Sequence, residues 1–232
     1  MLSDPSFWSN FLDPVYWSKL LDLLLPALGD TIYMVILSTL FAYIIGLPLG
    51  VILVISSPGH IRPNPWVERS LGTIINIFRS APFIILLVAL IPFTRLLLGT
   101  TIGTTAAVVP LVISAAPFVA RIVETSLKEV PYGVIEAALS MGASPWQIIT
   151  KILLPESKSS LILGVAITTI SVIGYTAMAG TVGGGGLGDL AIQYGYNRFR
   201  TDIMIVTVII LVLIVQGIQS LGTKLAAKLA HR

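Results

Sequence analysis

Long apolar runs separated by short polar or Pro/Gly punctuation dominate the chain. Five are long enough to cross a bilayer, which takes about 20 apolar residues per helix. The first extends from about Thr31 to Ile55 and ends at the turn sequence Ser56-Ser57-Pro58-Gly59. The second covers about Leu71 to Phe93, interrupted by Arg79-Ser80-Ala81-Pro82. The third lies within Gly103 to Val123, is rich in Ala and carries Pro110 and Pro117. The fourth is Leu161 to about Val182, and the fifth, Asp202 to Leu221, is the most uniformly aliphatic. None alternates with the period of two that a membrane β-barrel strand needs. The pattern predicts an all-α integral membrane protein with five transmembrane helices.

Ahead of the first run, Leu20 to Leu28 is also apolar, yet the segment does not read as a signal peptide. Asp4, Asp13, Asp22 and Asp30 outweigh Lys19 where a basic stretch is required, and no small-x-small cleavage site follows. Phe7, Trp8, Phe11, Tyr16 and Trp17 instead predict a piece lying at the outer interface, where aromatic rings prefer to sit. The expected organisation is an interfacial segment over 1–30, a membrane domain over 31–222 and a tail over 223–232.

Composition agrees with burial in lipid. Of the 232 residues, 55% are hydrophobic and 11% charged, and the mean hydropathy is +0.94. Soluble domains carry roughly 25% charged residues, so a soluble globular domain is excluded, and so is disorder. There is no Cys, which removes disulfides and thiolate metal sites. The net charge of +3 does not indicate nucleic acid, because the basic residues are scattered between apolar runs. They indicate topology instead. One set of connecting segments holds Arg62, Arg69, Arg121, Lys128, Lys151, Lys158, Lys224, Lys228 and Arg232; the opposite set holds only Lys19, Arg95, Arg198 and Arg200. Lys and Arg gather on the cytoplasmic side, so the N-terminus is expected outside and the C-terminus inside.

One cytoplasmic loop, residues 124–160, is neither apolar enough to cross nor polar enough to be disordered. Val130-Pro131 breaks the preceding helix, Tyr132 to Met141 restarts one, and Gly142 supplies a turn. Ser144-Pro145 is a good N-cap and first-turn pair for a second helix. In it Trp146, Ile149, Ile152 and Leu153 fall on one face before Leu154-Pro155 ends it. An amphipathic element of this kind either rests on lipid headgroups or inserts into a groove on a partner. Periodicity does not separate the two.

The residues themselves point further. Glu136-Ala137-Ala138, three residues, Gly142, nine residues, Ile152, one residue and Leu154-Pro155 resemble the EAA signature of permease subunits of bacterial ABC importers at every signature position. Asn76 to Leu87 and Ile91-Pro92-Phe93-Thr94-Arg95 look like the second-span signature of methionine ABC importer permeases, and Gly174 to Met178, Gly183 to Gly188 and Gln193 to Tyr196 are similar to that subfamily too. The resemblance covers about Leu20 to Leu221. It implies a type I importer permease fold in the bacterial inner membrane, with a second copy of the chain, two cytoplasmic ATPase subunits holding ATP and Mg, and an external methionine-binding protein as partners. It also implies that the loop is a coupling helix docking on the ATPase, with Glu136, Ala137, Ala138, Gly142, Trp146, Ile149, Leu154 and Pro155 as its residues.

No G-x-x-x-x-G-K-[ST] occurs, so an ATP-driven process needs its energy from another subunit. Gly183, Gly185 and Gly188 match G-x-G-x-x-G, but the nucleotide motif requires a strand before it and a helix after it, and here a membrane span precedes it. His60 and His231 have no companions with which to bind metal. Acids lie in loops or at span ends and no His is intramembrane, so catalysis by this chain is not expected. Arg79, one helical turn from Asn76, is the costliest residue in the apolar runs; it either snorkels or serves the pathway. Tyr175 and Met178 share a face of the fourth span, where a thioether and a ring suit a methionine side chain by sulfur–aromatic contact. These four are the candidate pathway residues. Gly46-x-x-x-Gly50 and Gly99-x-x-x-Gly103 are expected to be packing contacts. Two other readings stay open: a permease of the same architecture for another small solute, and an ATP-independent secondary transporter or channel. The latter calls for intramembrane acids or an internal repeat, and neither is found.

Overall fold

The computed structural model describes residues 14–230, and among them the chain is helical, with no strand. Phe7, Trp8, Phe11 and His231 lie outside the described residues. Helix α1 (Pro14–Ser56) is followed by α2 (Pro65–Ser80), α3 (Phe83–Ala89), α4 (Ile91–Leu98) and α5 (Thr104–Lys128). Then come α6 (Tyr132–Ser140), α7 (Pro145–Ile148), α8 (Lys158–Gly180), α9 (Gly186–Leu190) and α10 (Thr201–Ala230).

Four of these helices are long and apolar enough to cross a membrane: Val15–Ser56 within α1, then α5, α8, and Thr201–Leu229 within α10. The second expected run does not form one straight span. Pro82 disfavours a helical Ala81, whose φ of −77° and ψ of 127° are extended, and α2 and α3 diverge by 101° at this break. Counted as one broken span, the bent pair brings the total to five.

Helix α1 runs through residue 30 without a break. Leu20, Leu24 and Ala27 pack with Leu187 and Leu190 of α9 and Ile203 of α10, and Tyr16 donates a 2.6 Å hydrogen bond to Asp202. Thr31 fastens the same region: its hydroxyl donates to the Ala27 carbonyl at 3.0 Å and accepts from the Leu187 N–H at 2.8 Å. Residues 14–30 therefore share one helix with the first span.

The centre of the bundle is α5, packed along α1 and against α8. Its apolar residues are buried over most of its length, whereas those of α10 are largely exposed, 61% against 11% of the spanning window being buried. An aliphatic helix whose side chains face outward is stable only in hydrocarbon. Close approach of α1 to α5 depends on two glycines: a Cβ at Gly46 would sit 2.7 Å from the Ala116 carbonyl oxygen, and one at Gly50 2.6 Å from that of Ala120. This first glycine pair is the expected packing contact. The second is not. Gly99 and Gly103 have φ of +74° and +103° and nothing within 4 Å of a built Cβ, so they shape the turn between α4 and α5.

Candidate functional site

The loop between α5 and α8 is built by local rules. Helix α6 ends in a Schellman motif: the Ala143 N–H reaches the Ala138 carbonyl at 3.0 Å, and the Gly142 N–H reaches the Leu139 carbonyl at 2.9 Å. This closure requires a left-handed residue, and Gly142 supplies a φ of +79°. Ala138 is buried beneath the turn, so a small residue three positions before the cap lets the chain fold back. Ser144 then caps α7 as part of a reciprocal pair, its hydroxyl accepting from the Gln147 N–H at 3.3 Å while the Gln147 side chain accepts from the Ser144 N–H at 2.8 Å.

Two loop expectations are corrected. Leu154-Pro155 does not end the second helix: it continues as a π-helical stretch Ile149–Leu153 and a further turn Leu154–Glu156, and Ser157 bonds back to Leu153 at 3.1 Å. A proline lacks the N–H and crowds the carbonyl four residues earlier; the wider turn, with the Leu154 N–H on the Ile149 carbonyl, accommodates it. Trp146 also leaves the expected face. Ile148, Ile149 and Leu153 are buried in the main core, whereas Trp146 is 71% exposed. Met141, 82% exposed, joins it at the tip of the loop. Among the described residues the Glu136 carboxylate makes no ion pair or hydrogen bond, and Ala137 is exposed beside it. The loop thus keeps Ile135, Ala138 and Ile149 inside to hold its shape and presents Glu136, Ala137, Met141 and Trp146 outward.

Beside the base of this loop lies a charged cluster. Glu124 on α5 is buried and takes both Arg121, at 2.5 Å, and Lys128, at 2.7 Å. Arg121 also donates to the Asn76 side chain at 2.9 Å and to the Gly72 carbonyl at 3.3 Å, tying α5 to α2. The pattern R-x-x-E-x-x-x-K over Arg121, Glu124 and Lys128 has the helical spacing of ion pairs, a signal beyond the topology that Arg121 and Lys128 indicate. Lys128 acts also on His60 in the loop after α1. The His60 imidazole lies below the ordinary value of 6.5, first because it is buried and second because of the Lys128 charge.

The four candidate pathway residues fall into two groups. Asn76 accepts a hydrogen bond from Arg121, and Arg79 and Arg121 line a cavity of about 310 Å³ between α2, α5 and α8. Tyr175 instead stacks on Phe83, with centroids 4.6 Å apart and planes at 15°, and Met178 is exposed near the far end of α8. Ile167, the α8 residue of the cavity nearest to them in sequence, is roughly 12 Å of helix from Tyr175. The glycine-rich run follows α8 directly, with no strand before it. It makes the tight return into α9: a Cβ at Gly188 would sit 2.4 Å from the Ala177 Cα. No group of three His, Asp or Glu side chains able to hold a metal occurs among the described residues.

Comparison with known proteins places this geometry. The family model described as binding-protein-dependent transport system inner membrane component matches residues 46–221. The chain is 52% identical over 211 residues to the probable D-methionine transport system permease protein MetI of Vibrio cholerae, covering 91% of this chain and 94% of that one. To D-methionine transport system permease protein MetI of Escherichia coli strain K12 it is 51% identical over 158 residues, covering 68% and 73%. A solved structure of the MetNI methionine ABC transporter in inward-facing conformation superposes with a TM-score of 0.89 at 46% identity, over 94% of this chain and 98% of that one.

Proposed function

The chain belongs to the family of binding-protein-dependent transport system inner membrane components, as a permease of an ABC importer, and we propose that the solute it carries is methionine, in the D or L form or both. The observation that carries this reading is the near-full-length likeness to relatives named for D-methionine transport, which spans the pathway helices as well as the loop. A permease for another small solute is the second reading, and the two differ in what lines the path.

Two copies of the chain form the pathway, crossing with N-termini outside and C-termini in the cytoplasm, with residues 1–30 at the outer surface and 223–232 as an inner tail. Two ATPase subunits bind ATP and Mg and dock on the loops, and an external methionine-binding protein delivers substrate. The loop is suited to transmit force. It is joined to α5 and α8 by short connections, held by the Schellman closure, the capping box and its buried face, and so moves as a piece with the bundle. Exposed Trp146 and Met141 offer large side chains to a groove on the ATPase. When the ATPases close, the loops approach and the helices rock as rigid bodies, opening the pathway to one side and then the other.

Coexpression with candidate ATPase subunits tests the reading. Stable copurification that is lost in Gly142→Trp, together with ATP-dependent methionine uptake, is expected. ATP-independent uptake by this chain alone would favour a secondary transporter instead.

A further inference from the structure

The cavity between α2, α5 and α8 holds charges that its own residues leave unmatched. Its walls include Arg79, Arg121, Glu129 and Ser160, with Phe118 and Ile167 among its apolar residues. Arg121 is already committed to Glu124, Asn76 and the Gly72 carbonyl. Glu124 is shared with Lys128. Arg79 makes no ion pair or hydrogen bond among the described residues, and Glu129 is bound only by the Ser160 hydroxyl. Arg79 and Glu129 thus line one cavity as opposite charges without coming within the 4.0 Å of an ion pair.

Both side chains are exposed at the wall of the cavity, so each head group is open to a ligand of opposite charge. A ligand that answers both charges carries a carboxylate for Arg79 and an ammonium for Glu129, with an apolar side chain for the Phe118 and Ile167 wall. That is a zwitterionic amino acid with an apolar side chain, and about 310 Å³ is at the small end of ligand-site volumes. We infer that this cavity is a subsite of the permease itself, at the loop end of the bundle, that holds the amino acid after it has passed the Tyr175 and Met178 level. The inference rests on the amino-acid reading above and adds to it a holding point whose contacts recognise the backbone zwitterion, with the side chain read only by its apolarity.

Photo-methionine, which carries a diazirine on its side chain, tests this in the full complex of permease and ATPase subunits in nanodiscs. The expected result is crosslinks on α5 and α8 peptides containing Phe118, Ile122, Leu163 or Ile167, removed by excess methionine. Arg79→Gln and Glu129→Gln should each lower this labelling about tenfold or more, the loss expected for one charged hydrogen-bonded contact. Arg79→Lys should retain part of it. Thermal melting of each variant in detergent confirms that it is folded. Excess 3-(methylthio)propanoate, which lacks the ammonium, should compete less well than methionine against the wild type, and this difference should vanish in Glu129→Gln. Equal labelling in folded Arg79→Gln and wild type would overturn the subsite. So would labelling that methionine does not displace, or loss of a bound zwitterionic phospholipid in place of labelling, which would assign the cavity to a lipid headgroup. Failure of the wild-type complex to import methionine at all would instead strike the reading on which the inference rests.

Discussion

Replacing Gly142 by alanine leaves every other loop residue in place but asks a residue with a Cβ to hold a φ of +79°. Nothing lies within 4 Å of the added carbon, so the cost is conformational and not a clash. For an L-residue it is roughly 1–2 kcal/mol. If docking requires the Schellman closure, that free energy reappears as weaker binding of the ATPase subunit, by about 5- to 30-fold per loop. Asparagine enters the left-handed region more readily than alanine, so Gly142→Asn should lose less. Gly133→Ala, in the first turn of α6 with open space around its Cβ and an ordinary φ, serves as a control and should leave docking unchanged. The assay is titration of purified ATPase subunit onto membranes bearing each variant, read as an apparent Kd. The reasoning is refuted if alanine at 142 binds as tightly as glycine, or if asparagine is worse than alanine.

Gly46→Ala and Gly50→Ala drive a methyl group to 2.7 and 2.6 Å from backbone oxygens of α5 and should each destabilise the bundle by about 1–3 kcal/mol. Gly174→Ala and Gly217→Ala, with nothing within 4 Å, should be neutral or slightly stabilising; melting in detergent compares them. Because burial and Lys128 hold His60 below 6.5, its contribution to stability is complete above that pH. It is lost as pH falls toward the folded-state pKa, since the unfolded chain takes the proton first. Melting temperature should therefore drop between about pH 7.5 and about pH 5.5 by less in His60→Gln than in wild type. The chain has no native cysteine, so single substitutions report topology directly. Ser140→Cys should react with an impermeant thiol reagent only from the cytoplasmic side and Thr100→Cys only from outside; the reverse pattern would invert the proposed orientation.

Most of the architecture was visible in the sequence because lipid imposes a coarse rule: long apolar runs become helices. The details that escaped depend on single residues acting through the backbone. Pro82 reads as an interruption in the sequence, but the 101° turn of the chain there is set by how α2 and α3 pack in the fold. Pro155 reads as a helix end by rule, and the π-helical stretch Ile149–Leu153 that absorbs it leaves no mark in hydrophobic periodicity. The two G-x-x-x-G patterns are identical as strings. Gly46 and Gly50 abut α5 while Gly99 and Gly103 adopt positive φ, and only tertiary context distinguishes them. In the candidate site, the cap residues Gly142 and Ser144 were legible because capping is local chemistry. The Arg121 bridge to Asn76 joins residues 45 positions apart, and the cavity it borders exists only once α2, α5 and α8 meet.

Methionine transport through this permease, driven by a separate ATPase, is tested most directly in proteoliposomes containing the chain, its ATPase subunits, internal ATP and Mg, and external binding protein. The account predicts uptake of labelled methionine that requires ATP and is abolished by Gly142→Trp. Uptake that persists without the ATPase subunits, or ATP-driven import of another solute in preference to methionine, would contradict it.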